Sequence, residues 1–259
     1  MSLSRRSLAA GLAAAATLRR APASALAAPD RPASQAGAIS IAMLLYPGMT
    51  ALDVVGPQNL LAGLADGGLW LVARTAGPVA SDTGLALFAT HDFATCPSDV
   101  TVLIVPGGDG TPAQMRDAAT LAFLSDRASR AGWIAGVCTG SLILGAAGLM
   151  KGYRATSHWC VRDRVLPLLG AAPVDDRVVI DRDRITSAGV SAGLDLALAL
   201  AAHLRGEAYA RTAQLVAEYA PQPPFRAGTP AQAGPAIVAA ADAILADLVA
   251  GSLAAAGGR

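Results

Sequence analysis

Cys138 stands in Gly136-Val137-Cys138-Thr139-Gly140, a G-x-C-x-G pattern that matches a nucleophile elbow with sulfur in place of a hydroxyl. Apolar Trp133 to Val137 precedes it, and uncharged, Gly/Ala-rich Ser141 to Met150 follows. That order predicts a buried strand, a sharp turn and a helix. Glycine is needed on both sides because a side chain at Gly136 or Gly140 would collide with the neighbouring strand or helix. The turn sets the sulfur at a helix N-terminus, where free N–H groups and the helix dipole favour an anion. A thiolate is therefore expected to form more readily there than in water, and the thiolate is the nucleophile. Two blander readings compete. Buried cysteine also serves as a small apolar residue, and uncharged Ala131 to Met150 has the length of a membrane helix. The glycines, with Thr139 and Ser141 at the centre, favour the strand, turn and helix.

A carboxylate would complete the chemistry, and Asp53 is placed to supply one. It follows an apolar run, Ile39 to Tyr46, closed by Pro47-Gly48, and opens a helical pattern through Leu60, Leu61 and Leu64. As a bare helix cap it would do no chemistry; beside the thiol it would be a general acid/base. Thr139 either caps the elbow helix or orients the attacking group. Gly107, Gly108 and Gly140 are either turn glycines or sources of N–H groups for developing negative charge. His158 is the rival base, because Cys–His pairing is the commoner device. Lying one connector beyond the elbow helix, it is read as a rim residue. His91 and His203 read as structural. Asp195 and Arg205, on an apolar helix, are expected in a buried or dimer-face hydrogen bond.

The remaining elements must carry these residues to one place. Leu69 to Ala73 and Val100 to Val105 read as strands, and Gly77 to Asp92 as a hairpin beside the main sheet. Thr111 to Arg130 reads as one helix, Gly152 to Trp159 as a polar connector and Val161 to Leu169 as helical. Arg177 to Ile180 and Arg184 to Ser187 read as strands around Asp181-Arg182-Asp183. Gly189 to Arg205 and Glu207 to Tyr219 read as helices, Pro221 to Pro230 as a loop, and Gly234 to Ala250 as a closing amphipathic helix. Strands alternating with helices predict a parallel sheet covered on both faces. In such sheets, sites lie beyond the carboxyl ends of the strands. Asp53, the Pro106 to Gly110 turn and Cys138 all fall there.

With 53% apolar and 15% charged residues in 259, the chain is globular rather than disordered. Its net charge of +1 and the lack of a basic run argue against nucleic acid as a partner. Three cysteines, Cys96, Cys138 and Cys160, do not make a disulfide framework, and no spacing resembles a zinc site. No metal and no cofactor is expected. The N-terminus reads as an address: Arg5-Arg6, an Ala/Leu run from Leu8 to Leu18, Arg19-Arg20, then Ala25-Leu26-Ala27. Paired arginines resemble a twin-arginine signal. The expected organisation is a leader over residues 1–37, a catalytic domain over 38–230, and a C-terminal helix and tail over 231–259. Export to the periplasm would then be expected, with no stable membrane insertion once the leader is removed, and Cys96 and Cys160 could pair there.

Six stretches together resemble the PfpI, or class I glutamine amidotransferase-like, superfamily and, within it, the isocyanide hydratases. They are Leu52-Asp53-Val54-Val55-Gly56-Pro57, Val105-Pro106-Gly107-Gly108, Val137-Cys138-Thr139-Gly140-Ser141, Ala155-Thr156-Ser157-His158-Trp159, Ser187 to Asp195, and Glu218 to Phe225. The elbow and the Pro-Gly-Gly turn mark the superfamily; Asp53 combined with Thr139 marks the narrower group. Cys160 departs from the pattern, where a small inert residue is expected. The resemblance implies a three-layer α/β/α sandwich with a flavodoxin-like, mostly parallel sheet, a small-molecule substrate and a homodimer. It implies cofactor-independent hydration of an isocyanide to an N-substituted formamide. In that scheme Cys138 adds to the isocyanide carbon, the nitrogen side of the thioimidate receives a proton from Asp53, and Asp53 then activates water. Two alternatives belong to other classes. One is a glyoxalase or deglycase acting on reactive carbonyls, against which Asp53 in place of Glu counts. The other is a non-catalytic ligand-binding module like the sensor domains of transcription regulators, against which the short tail after Pro230 counts.

Overall fold

The computed structural model describes residues 37–258. Residues 1–36, which carry the expected export leader, lie outside the described residues. The chain runs β1 (Ser40–Leu44), α1 (Ala51–Leu61), β2 (Gly68–Ala73), β3 (Gly77–Ala80), β4 (Ala86–Ala89), β5 (His91–Asp92) and β6 (Val102–Val105). Then follow α2 (Thr111–Gln114), α3 (Ala118–Ala128), β7 (Trp133–Gly136), α4 (Gly140–Ala146), β8 (Arg154–Ala155) and α5 (Trp159–Val165). After a 3-10 turn at Leu166–Leu169 come β9 (Ala172–Pro173), β10 (Val178–Asp181), β11 (Arg184–Ser187), α6 (Ala192–Arg205), α7 (Glu207–Val216), α8 (Pro230–Ala233) and α9 (Pro235–Gly257).

Seven strands form the main sheet in the order β10-β11-β7-β6-β1-β2-β5. All neighbours are parallel except β10 against β11. The central strands are unbroken apolar runs because both of their faces are covered: every residue of β1 and β6 is buried. Helices α1, α6 and α7 pack together as one layer, and α2, α4, α5 and α9 associate in the other. This is the expected three-layer α/β/α sandwich. From β1 the chain passes to β2 on one side, then returns to β6 on the other. The crevice beyond the ends of β1 and β6 is thus the topological switch point, where such sheets bind ligands.

Several local expectations are corrected. The helix read over Thr111 to Arg130 is two helices, because Asp117 stops the pattern: its carboxylate accepts from the Thr120 N–H (3.3 Å) and hydroxyl (2.7 Å) and caps α3. The polar connector contains β8, which pairs in parallel with β9. The closing helix is not amphipathic. The 23-residue α9 contains an 18-residue window of mean hydropathy 1.8, long and apolar enough to cross a membrane by length and composition, yet little of that window is buried. Val249, Ser252, Ala255 and Ala256 are its buried residues, while Ile237 and Ile244 are exposed. Asp195 and Arg205 are not paired in the interior. Asp195 accepts from Arg177 Nε (2.7 Å) and the Tyr219 hydroxyl (3.1 Å), and Arg205 pairs with Asp66 at 2.5 Å, all partly exposed. Cys96, Cys138 and Cys160 are all free and buried.

Candidate active site

Three loops converge beyond β1, β6 and β7, and backbone groups lock them. The Thr50 N–H donates to the Gly107 carbonyl at 2.8 Å, and the Gly107 N–H donates to Asp53 Oδ2 at 2.8 Å. The Gly108 N–H donates to Thr139 Oγ1 at 3.0 Å. The fit leaves no room for side chains at the turn. A Cβ on Gly107 would stand 2.5 Å from both the N and Oγ1 of Thr139 and 3.0 Å from Cys138 Cβ. On Gly140 it would stand 2.1 Å from the Val105 carbonyl oxygen.

Cys138 has φ of 55°, in the left-handed region that costs a non-glycine residue roughly 1–2 kcal/mol. Two hydroxyls fasten this strained turn: Ser141 Oγ donates to the Cys138 carbonyl at 3.2 Å and Ser157 Oγ at 3.0 Å. The elbow geometry expected from G-x-C-x-G is thus present. The sulfur itself is only narrowly open, since Cys138 is 4% exposed.

Asp53, at the first turn of α1, is fully buried. Its Oδ2 is held by Gly107, but its Oδ1 is buried and has no hydrogen-bond partner among the described residues. Burial pushes its pKa up to about 7, the Gly107 N–H opposes the rise, and the Asp82 carboxylate adds to it. Burial also pushes the Cys138 thiol well up, and the Asp53 charge pushes it further; the Thr139 N–H and hydroxyl oppose both. The expectation of an easily formed thiolate is therefore corrected: the helix N-terminus is outweighed by burial and by Asp53. At rest the pair is a thiol beside a carboxyl group poised near neutrality.

The three glycine N–H groups considered as sources of charge stabilisation all have partners within the protein. Gly107 and Gly108 spend their N–H groups on Asp53 and Thr139, and the Gly140 N–H donates to the Val137 carbonyl at 2.8 Å. Gly107 and Gly108 thus hold the acid and the hydroxyl, and Gly140 closes the turn. Thr139 Oγ1 also lies 2.7 Å from Thr111 Oγ1, which lies 3.3 Å from the Tyr46 hydroxyl; that phenol donates to the Pro106 carbonyl at 2.9 Å. The sequence reading missed Tyr46, Thr111 and Ser157. Tyr46 alone carried a signal, as a polar end on an otherwise apolar strand.

His158 does not join the pair. It caps α5, with Nδ1 accepting from the Cys160 N–H at 3.4 Å. It lines a cavity of about 870 Å³ together with Leu52, Ser157, Trp159, Gly189 and Val190. Leu52 adjoins Asp53 in sequence and Ser157 holds the Cys138 carbonyl, while neither Cys138 nor Asp53 itself lines the cavity. Among the described residues, no group of three or more His, Cys, Asp or Glu side chains is gathered as a metal site.

A buried thiol on a left-handed elbow, electrostatically coupled to a buried carboxyl at the switch point of a parallel sheet, marks a class of α/β/α sandwich proteins. The chain belongs to the DJ-1/PfpI family, whose pattern matches residues 39–203. It is 48% identical over 201 residues to the isonitrile hydratase of Pseudomonas putida, covering 78% of this chain and 87% of that protein. Among solved structures, a THiJ/PfpI family protein from Pseudomonas syringae superposes with a TM-score of 0.83 at 48% identity, over 93% of this chain and 99% of that one. The HTH-type transcriptional regulator CdhR of Pseudomonas aeruginosa is 29% identical over 169 residues, spanning 63% of this chain and half of its own length.

Proposed function

We propose that this chain hydrates an isocyanide (isonitrile) to an N-substituted formamide, with Cys138 as nucleophile and Asp53 as general acid/base. The observation that carries the reading is the unpaired Oδ1 of buried Asp53, a proton acceptor left open next to a thiol that burial keeps protonated. The similarity to an isonitrile hydratase over most of both chains supports the substrate class.

The reaction balances without any electron carrier. Asp53 takes the thiol proton as the sulfur bonds to the terminal carbon, and the carbon lone pair takes that proton, giving a thioimidate, R–N=CH–S. The proton thus belongs on carbon rather than on the nitrogen side as first assigned, because both new bonds form at the terminal carbon. Water then adds to the same carbon; Asp53 removes a water proton and returns it to nitrogen. In the resulting adduct, Asp53 takes the hydroxyl proton, the C–S bond breaks, and sulfur regains its proton as the formamide leaves. Positioned proton transfer of this kind contributes ~10²–10⁴-fold. Thr139, anchored by Gly108 and Thr111, orients the sulfur through its hydroxyl.

The test is purified protein with n-pentyl isocyanide, followed by the appearance of N-pentylformamide. Wild type is expected to form it and Cys138→Ala is not. No product from wild type, or undiminished product from the variant, removes the reading. Export by the twin-arginine route and a homodimer belong to the same proposal. Fractionation of cells and sedimentation of the purified chain test them separately.

A further inference from the structure

A second thiol–imidazole contact lies outside the reacting pair, between Cys160 and His158. His158 Nδ1 is 3.0 Å from Cys160 Sγ and accepts from the Cys160 N–H at 3.4 Å. A backbone N–H can only donate, so Nδ1 must present its lone pair. The ring proton of the neutral imidazole is therefore on Nε2. Burial lowers the pKa of His158 and raises that of Cys160 to about 11, so both stay neutral near pH 7. Cys160, a departure from the expected pattern, thus donates to Nδ1 from its thiol as well.

The free edge of the ring meets the cavity. Gly189 also lines it, and a Cβ there would touch His158 Cδ2 at 3.1 Å and Nε2 at 3.6 Å. Glycine at this position leaves that edge uncovered. Nε2 has no hydrogen-bond partner among the described residues. A fixed N–H donor therefore stands among Leu52, Trp159 and Val190 in a cavity whose lining also includes Arg162, Asp163, Asp175, Asp176 and Arg177.

We infer that His158 is a specificity-determining contact: its Nε2–H donates to a carbonyl or carboxylate oxygen on the N-substituent of the isocyanide, and Cys160 is the positioning residue that fixes the tautomer. The inference rests on the hydratase reading. In this inference the substituent of an isocyanide held at Cys138 lies in the cavity, which Ser157, hydrogen-bonded to the Cys138 carbonyl, joins to the elbow. Leu52 and Val190 would cover its alkyl portion. The favoured substrates are isocyanides bearing an ester, amide or carboxylate near the nitrogen, as in an α-isocyano acid derivative.

The experiment compares kcat/KM for ethyl isocyanoacetate and n-pentyl isocyanide, read as the ester-to-alkyl ratio, which cancels general losses of activity. Relative to wild type, His158→Phe is expected to lower the ratio roughly tenfold, the worth of one hydrogen bond. His158→Gln, which keeps an N–H donor, is expected to retain part of it. Gly189→Ala covers the ring edge without removing it and is expected to lower the ratio as well. Cys160→Ala is expected to lower the ratio and Cys160→Ser to restore it. Ring ¹⁵N shifts of His158 are expected to report the Nε2–H tautomer in wild type. A ratio unchanged in His158→Phe and Gly189→Ala, or an Nδ1–H tautomer, overturns the inference while leaving the hydratase reading intact. Formamide from neither substrate with wild type brings down both.

Discussion

Asp53→Asn separates the energetic cost of the candidate acid from its use. The carboxyl is fully buried, with Oδ2 on the Gly107 N–H and Oδ1 unpaired, and its pKa rises from 3.8 to about 7. Between those values the folded chain keeps a proton that the unfolded chain has released. Stability must therefore fall as pH rises through this window, and the loss is complete above about 7. Three pKa units correspond to about 4 kcal/mol. Asparagine has the same shape, keeps an acceptor for Gly107 and cannot ionise. Its amide N–H groups replace the unpaired oxygen, and leaving them unpaired costs about 1–3 kcal/mol at every pH. The difference in unfolding free energy between variant and wild type is therefore expected to move in the variant's favour by about 4 kcal/mol between pH 4 and pH 8. Urea denaturation at several pH values measures it, and other titrating groups cancel in the difference. A flat difference would refute a buried carboxyl titrating near 7. In the hydratase assay the same variant is expected to lose ~10²–10⁴-fold in rate. Wild-type activity is expected to rise with pH and level off above about 7, since the carboxylate must accept the thiol proton. One residue would thus destabilise the fold in the ionised form that starts the reaction.

Two further substitutions probe the elbow. Thr139→Val keeps the side-chain shape but removes the acceptor for the Gly108 N–H and the contact with Thr111; a stability loss of about 1–3 kcal/mol and a lower kcat are expected, with Thr139→Ser restoring both. Cys138→Gly relieves the left-handed backbone at φ 55° and is expected to gain about 1 kcal/mol in thermal unfolding while losing all turnover. A destabilised glycine variant would mean that the elbow stores no strain.

Much of this architecture was legible because its cause is local. β1, β6 and β7 are short, almost wholly buried apolar runs, so their composition alone marks them as central strands. Gly136 and Gly140 announce the elbow because a Cβ at either would come within 3.0 Å of neighbouring backbone. Asp53 was legible as a strand-end carboxylate. What escaped depends on approaches between distant segments. Thr111 looks ordinary in sequence and gains a role only when the loops bring it between Tyr46 and Thr139. The pairing of Arg154-Ala155 with Ala172-Pro173 has no propensity signal, since the four residues are not strand formers.

The thiol's acidity shows where local reasoning stops. From sequence, a cysteine before a helix should be a ready thiolate. The helix it precedes is only seven residues long, and the tertiary fold adds full burial and a carboxyl neighbour, which reverse the direction. A thiolate formed in advance would suit attack on a substrate that then expels a leaving group. An isocyanide offers no leaving group and needs a proton delivered to the very carbon the sulfur attacks. For the proposed addition, a protonated thiol beside a carboxyl of pKa about 7 supplies the nucleophile and, in the carboxylate form, the base that relays its proton to carbon. On the proposed reading the reactive entity is the Cys138–Asp53 pair, and substitutions that alter the charge of one should shift the titration of the other.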